Sequence, residues 1–197
     1  MFKLLKGKRL WEIGGVIAGV VLIGFGVGSV VMGATGVNTV RDNLGRENIV
    51  GTPDSTIPGQ KVDTGAEAKA FANVMRKHTL EASGGQVYAD MGRYLDEKGN
   101  PTSDEALAAK NPDTGRPVDN PLRQLWVTQT ALSTALNQAF FAERVAVFGI
   151  VVGVALLLSG FGFLVLSLGG AIRREGAAAA AAAPTGAAPP TTTVPAS

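Results

Sequence analysis

The stretch IGGVIAGVVLIGFGVGSVVMGATGVNTV, residues 13–40, runs for 28 residues without one Asp, Glu, Lys or Arg. A helix needs roughly 20 predominantly apolar residues to cross the hydrocarbon of a bilayer. The excess allows for tilt or an interfacial extension. A second stretch of equal length, VAVFGIVVGVALLLSGFGFLVLSLGGAI, residues 145–172, repeats the pattern. Apolar residues gathered in this way do not describe one soluble core. The expected fold is an all-α membrane protein with transmembrane helices over 13–37 and 144–172 and a small helical extracytoplasmic domain, 38–143, between them.

Lys3, Lys6, Lys8 and Arg9 precede the first block as the basic region of a secretory signal would. The apolar run is longer than the roughly 7 to 15 residues of a signal core, and no A-x-A cleavage site follows. An uncleaved anchor is expected. The flanks, residues 1–12 and 173–175, hold six Lys/Arg against two acids, while residues 41–144 hold 12 against 14. By the positive-inside rule both termini face the cytoplasm and the loop lies outside. The expected location is the cell membrane, and the pI near 9.0 then reflects basic membrane flanks; no basic patch of the kind nucleic acid requires is present.

Three G-x-x-x-G pairs, Gly15 with Gly19, Gly24 with Gly28, and Gly149 with Gly153, are candidate helix-packing residues. Small residues four apart share a helix face and let a second backbone approach, which matters in lipid because no hydrophobic drive brings helices together.

Between the spans, 38–62 carries Gly45, Gly51, Pro53, Pro58 and Gly59 and predicts an extended connector. Thr64 followed by Glu67 is a capping box and opens a helix over about 64–83, stopped by Gly84 and Gly85. Phe71, Val74, Met75 and His78 fall at i, i+3, i+4 and i+7 of that helix. With Trp126 they are the expected ectodomain core or partner face. Residues 96–120 form a polar, turn-rich excursion, with at most one short helix after Ser103 and mobility expected. Asn120 and Pro121 then supply an N-cap and a first helical position. An unbroken helix from Pro121 to Ile172 has 52 residues and is about 78 Å long, so the second span is continuous with a projecting helix. Residues 173–197, largely Ala, Pro and Thr, cannot build a core and predict a disordered cytoplasmic tail.

The chemistry an enzyme needs is thin. The chain has no cysteine and one histidine, His78. That excludes disulfides, thiolate ligands and a two-histidine iron site. No G-x-S-x-G elbow or phosphate-binding fingerprint is present. No catalytic residue, metal or cofactor is implied, and His78 is expected to be a packed or interfacial imidazole hydrogen-bonded to a neighbour. Neither block holds an ionisable residue, which argues against an ion path. What is left is a non-enzymatic envelope component or accessory subunit acting through its extracytoplasmic helices. Membrane lipid and another membrane or envelope protein, or a second copy, are the expected partners. The alternative is a subunit of a membrane transport or enzyme complex.

The run VDTGAEAKAFANVMRKHTLEASGGQVYADM, with Phe71, Ala72, His78, Leu80, Glu81, Gly84, Gly85 and Tyr88, resembles a group of small actinobacterial membrane proteins of two spans, and 129–172 is similar to that group's second segment. The resemblance implies two spans and carries no established activity. Such sequences are often labelled LigA-type aromatic ring-opening dioxygenases; two membrane spans do not suit a cytosolic helical subunit enclosing an aromatic acid.

Overall fold

The computed structural model describes residues 2–182, and side chains from 13 to 169. It is mostly helical, with α1 over Phe2–Arg46, α2 over Gly65–Ala82 and α3 over Pro121–Ala182. α1 and α3 are each long and apolar enough to cross a membrane. Their large apolar side chains are turned outward, with Met32 77% and Leu166 76% exposed. A soluble core helix would bury them.

The chain divides into two compact units, residues up to Gly28 with those from Val152, and Ser29–Val151. In the first, α1 and α3 pair antiparallel. A Cβ built on Gly19 would lie 2.8 Å from the Gly160 carbonyl oxygen, and one on Gly26 would lie 2.8 Å from that of Gly153. Leu164 and Leu157 fill the space beside these glycines, and Ile23 packs on Gly160. In the second unit the same relation recurs. A Cβ on Gly33 would lie 2.6 Å from the Ala146 carbonyl oxygen and 2.6 Å from the Ile150 side chain, and Ser29 Oγ donates to the Gly149 carbonyl at 2.7 Å.

The closest backbone approaches therefore recur at a spacing of seven, with Gly15 and Gly19 adding one step of four. Gly19, Gly26 and Gly33 face Gly160, Gly153 and Ala146, each pair one heptad from the next. Of the glycines named from the sequence, Gly15, Gly19 and Gly153 border this seam. Gly149 sits 3.9 Å from Ser29, an ordinary contact, and Gly24 and Gly28 meet nothing within 4 Å.

Between α1 and α3 the chain carries one further α-helix, α2, with turns and a small β element. α1 continues past the charge-free run to Arg46, where the expected connector begins at residue 38. Asn38–Arg46 contains no proline, and the helix ends where Asn48 adopts φ +52°. The connector that follows folds back on itself. Gly51 N–H donates to Gln60 O and Val62 N–H to Ile49 O, both at 2.9 Å. The polar excursion carries a minimal antiparallel ladder, β1 (Tyr94–Leu95) with β2 (Pro101–Thr102), and isolated bridges Tyr94 to Asp119, Asp96 to Ala108 and Lys110 to Pro117. No helix follows Ser103. Asp96 organises the turn, accepting from Lys98 N–H and Asn100 N–H. Strand pairing wins here because a loop must satisfy its own backbone groups, so the all-α expectation is corrected to a mostly helical chain with a small β element.

At the other end α3 does not stop at Ile172. It continues to Ala182 through alanine, the best helix former. The expected tail thus begins as helix through its alanines, and residues 183–197 lie outside the described part.

Candidate functional site

The second unit is assembled on α2. Thr64 Oγ1 accepts from Glu67 N–H while Glu67 Oε2 accepts from Thr64 N–H at 2.9 Å, a complete capping box. Burial works against the Glu67 carboxylate, but the N–H groups of Asp63 and Thr64 prevail and lower its pKa. The helix buries its small residues, Gly65, Ala68, Ala72 and Thr79, with Val74. Their spacing of three, four and seven brings the α2 backbone close to its neighbours. The core holds Leu44, Val62, Ala68, Ala72 and Leu136, with Phe71 and Met75 packed on it half-buried.

His78 lies off this face. Its side chain is 43% exposed, and Nε2 is 2.9 Å from Asp54 Oδ2. Phe71, Val74 and Met75 of the expected stripe are buried or half-buried, but His78, near the end of the helix, reaches Asp54 of the connector rather than the core. Lys77 Nζ donates to the same Asp54 oxygen at 2.8 Å, and Thr52 Oγ1 donates to Oδ1. Together, Lys77 first, these hold the Asp54 carboxyl far below the usual carboxylate range, and Asp54 in turn raises Lys77.

An Asp–His pair is the orienting half of a hydrolytic triad, yet the adjacent hydroxyl does not complete one. Ser55 Oγ donates to Thr52 O at 2.6 Å and accepts from Ile57 N–H. The cluster is a latch that fastens the 51–60 connector to α2. A depressed Asp pKa and a raised Lys pKa make its contribution full between the two ordinary values, about 4 and 10. It is lost as pH falls through the lowered Asp54 value or rises through the raised Lys77 value. Asp54→Asn is expected to speed amide exchange at Gly51 and Gly59 a few-fold at pH 7, leaving α2 amides unchanged. Unchanged connector exchange would reject the latch.

Trp126, on α3, is 4% exposed. Its Nε1–H donates to Gln86 O at 3.1 Å, and the Arg76 guanidinium stands 5.3 Å from its ring centroid. It thus ties both α2 and the chain just after it to α3. Arg123 adds a second tie, stacking 3.9 Å from the Tyr88 ring and donating to Met91 O. Asn120 Oδ1 accepts from Leu122 N–H, as an N-cap does, while its Nδ2 donates to Gly92 O.

A residue the sequence did not single out holds the base of this unit. Glu143, 8% exposed, accepts from Gly65 N–H at 2.9 Å through Oε2 and from Arg41 Nε at 3.0 Å through Oε1. A carboxylate at a helix N-terminus meets unpaired N–H groups and the positive end of the dipole. The signal was present as an acid bordering a charge-free run.

Two adjoining clefts open beside this core. One, of about 620 Å³, is walled by α1, α2 and α3 and lined by Leu44, Phe71, Met75, Leu132, Leu136 and Ala139, with Asn43, Glu47 and Gln138 as its polar members. The other, of about 480 Å³, is lined by Val31, Met32, Thr35, Gly36 and Thr39. Val40 and Ala142 belong to both. Among the described residues no group of three His, Cys, Asp or Glu side chains could hold a metal ion.

No protein-family model, no curated protein and no solved structure matches the chain. The functional reading therefore rests on its own residues.

Proposed function

We propose that the chain is a membrane-anchored, non-enzymatic interaction subunit, a two-span protein of the cell membrane with both termini cytoplasmic and the 38–143 segment presented outside. The observation that carries this is the make-up of the second unit. The connector, α2 and the excursion pack with the outer ends of both candidate spans in one compact body, Ser29–Val151. A module built onto the span ends holds its surface at a fixed height above the bilayer, which suits a partner anchored in the same envelope. Its exposed apolar residues Leu107 and Leu125 are the contacts offered.

The test is made in intact cells. A photoactivatable residue at Leu107 or Leu125 is expected to yield one discrete heavier adduct, and a cysteine at Asn111, but not one at Ala187, to react with an impermeant maleimide. Labelling at Ala187 alone inverts the topology. Absence of any adduct at both apolar positions removes the interaction reading.

A further inference from the structure

We propose that the paired clefts of the second unit form a binding site for one acyl chain of a membrane lipid, raised out of the outer leaflet with its head at Asn43, Glu47 and Gln138. The inference rests on the membrane reading and adds a ligand to it. Four observations converge.

The lower cleft is lined by Val31, Met32, Thr35, Gly36 and Thr39, all within the charge-free run, where lipid is the solvent. The upper cleft shares Val40 and Ala142 with it and continues past Arg41 to Phe71 and Met75 of α2. An apolar path thus leads from the span into the extracytoplasmic core. From Val31 to Glu47 it follows α1 for 16 residues, about 24 Å at 1.5 Å per residue. One leaflet of a hydrocarbon core of roughly 30 Å is about 15 Å deep, so the path takes a full chain.

The volume suits a single chain. The upper cleft takes its lining from α1, α2 and α3, and its volume of about 620 Å³ is that of a single-ligand pocket, roughly 300 to 1,000 Å³. The depression exists because Gly36, Ala139 and Ala142 carry little or no side chain, and Met75 supplies an adaptable wall.

The amide and carboxylate side chains belong to the upper cleft alone, the lower one carrying only the hydroxyls of Thr35 and Thr39. Asn43 and Gln138 offer amide donors and acceptors. Glu47 forms no ion pair among the described residues. A carboxylate at this rim favours a hydroxyl- or amine-bearing head over a bare phosphate, and it places the head uppermost with the chain pointing back into the bilayer.

The full chain is reconstituted in phosphatidylethanolamine vesicles containing a phosphatidylethanolamine with a photoactivatable diazirine in its acyl chain. After irradiation and trypsin, peptide 70–76, AFANVMR, holds both Phe71 and Met75 and lies outside the charge-free runs. It is expected to carry lipid adducts together with peptide 145–173. Ala135→Trp, which fills the upper cleft, and Ala142→Phe, which blocks the junction, are each expected to abolish the label on 70–76 and to leave that on 145–173 in place. Circular dichroism and amide exchange on α2 confirm that each variant is folded.

Label on 145–173 without label on 70–76 overturns the site and leaves the membrane reading standing. Label on 70–76 that survives both folded variants also overturns it. A copy-to-copy adduct at 70–76 assigns the cleft to a second chain instead. No adduct on either peptide rejects the membrane reading itself.

Discussion

Gly26→Leu is expected to part the two long helices, while Gly24→Leu two residues away leaves them paired. A Cβ at Gly26 meets the Gly153 carbonyl oxygen at 2.8 Å and Leu157 Cγ at 2.8 Å, whereas one at Gly24 has nothing within 4 Å. The first obstacle is backbone, which cannot swing aside as a side-chain end does. Overpacking of this kind costs about 1–3 kcal/mol in a core, and a backbone clash belongs at the upper end. In lipid no hydrophobic drive restores the contact. The Gly24 change, on an open face, is expected to stay within about 0.5 kcal/mol. The readout uses Gly15→Cys with Ser167→Cys, whose Cβ atoms would stand 3.4 Å apart, close to the 3.5–4.5 Å of a disulfide. With no native cysteine to interfere, this crosslink forms in the parent and in Gly24→Leu and is lost in Gly26→Leu. A crosslink equally strong in all three would show that the seam tolerates leucine and that the heptad relation is not what holds the pair.

The seam shows how far the sequence could be followed. Glycines four apart invite a G-x-x-x-G reading, and the chain offers three such pairs, yet both Gly24 and Gly28 face open space. The informative period was seven, visible in Gly19, Gly26 and Gly33 and again in Ala146, Gly153 and Gly160. Long pairing of two helices needs a repeat commensurate with both, and a single four-residue step cannot establish that. Punctuation was the most legible layer. The Thr64 capping box and the Asn120–Pro121 helix start are local chemistry, so each is set by residues within one turn. The end of α1 was not, because Pro53, Pro58 and the glycines of the connector drew attention from Asn38–Arg46, which has no breaker strong enough to stop a helix already under way. The partner of His78 was not legible, because Asp54 lies 24 residues away and no local pattern names it, although Phe71, Val74 and Met75 of the same stripe do pack inward. The clefts were out of reach altogether, since they arise where three separate segments meet.

Glu143→Ala is expected to detach α2 from α3 at its N-terminal end and to destabilise the second unit by about 2–4 kcal/mol. Two losses contribute. Gly65 N–H, a first-turn donor with no intrahelical partner, loses a charged acceptor at 2.9 Å. Arg41 loses its partner at 3.0 Å, but its side chain is 53% exposed, so water takes over most of that interaction and the ion pair adds little. The Gly65 bond therefore dominates, and Glu143→Gln, whose amide oxygen still accepts, is expected to cost about half as much. Gly65→Ala attacks the same joint from the other side. Its Cβ would lie 2.8 Å from Glu143 Oε2 and 2.9 Å from Phe140 Cα, so the helix start must move off α3, at about 2–3 kcal/mol. Because both changes break one joint, the double variant is expected to cost clearly less than the two singles together. Trp126 reports the outcome, being buried where α2 and α3 meet. Urea unfolding is followed by its fluorescence in detergent, in a Trp11→Phe background that removes the other tryptophan. Additive losses in the double variant would mean that Glu143 and Gly65 act separately, and an unchanged midpoint in Glu143→Ala would show that the unit is held by its apolar core alone.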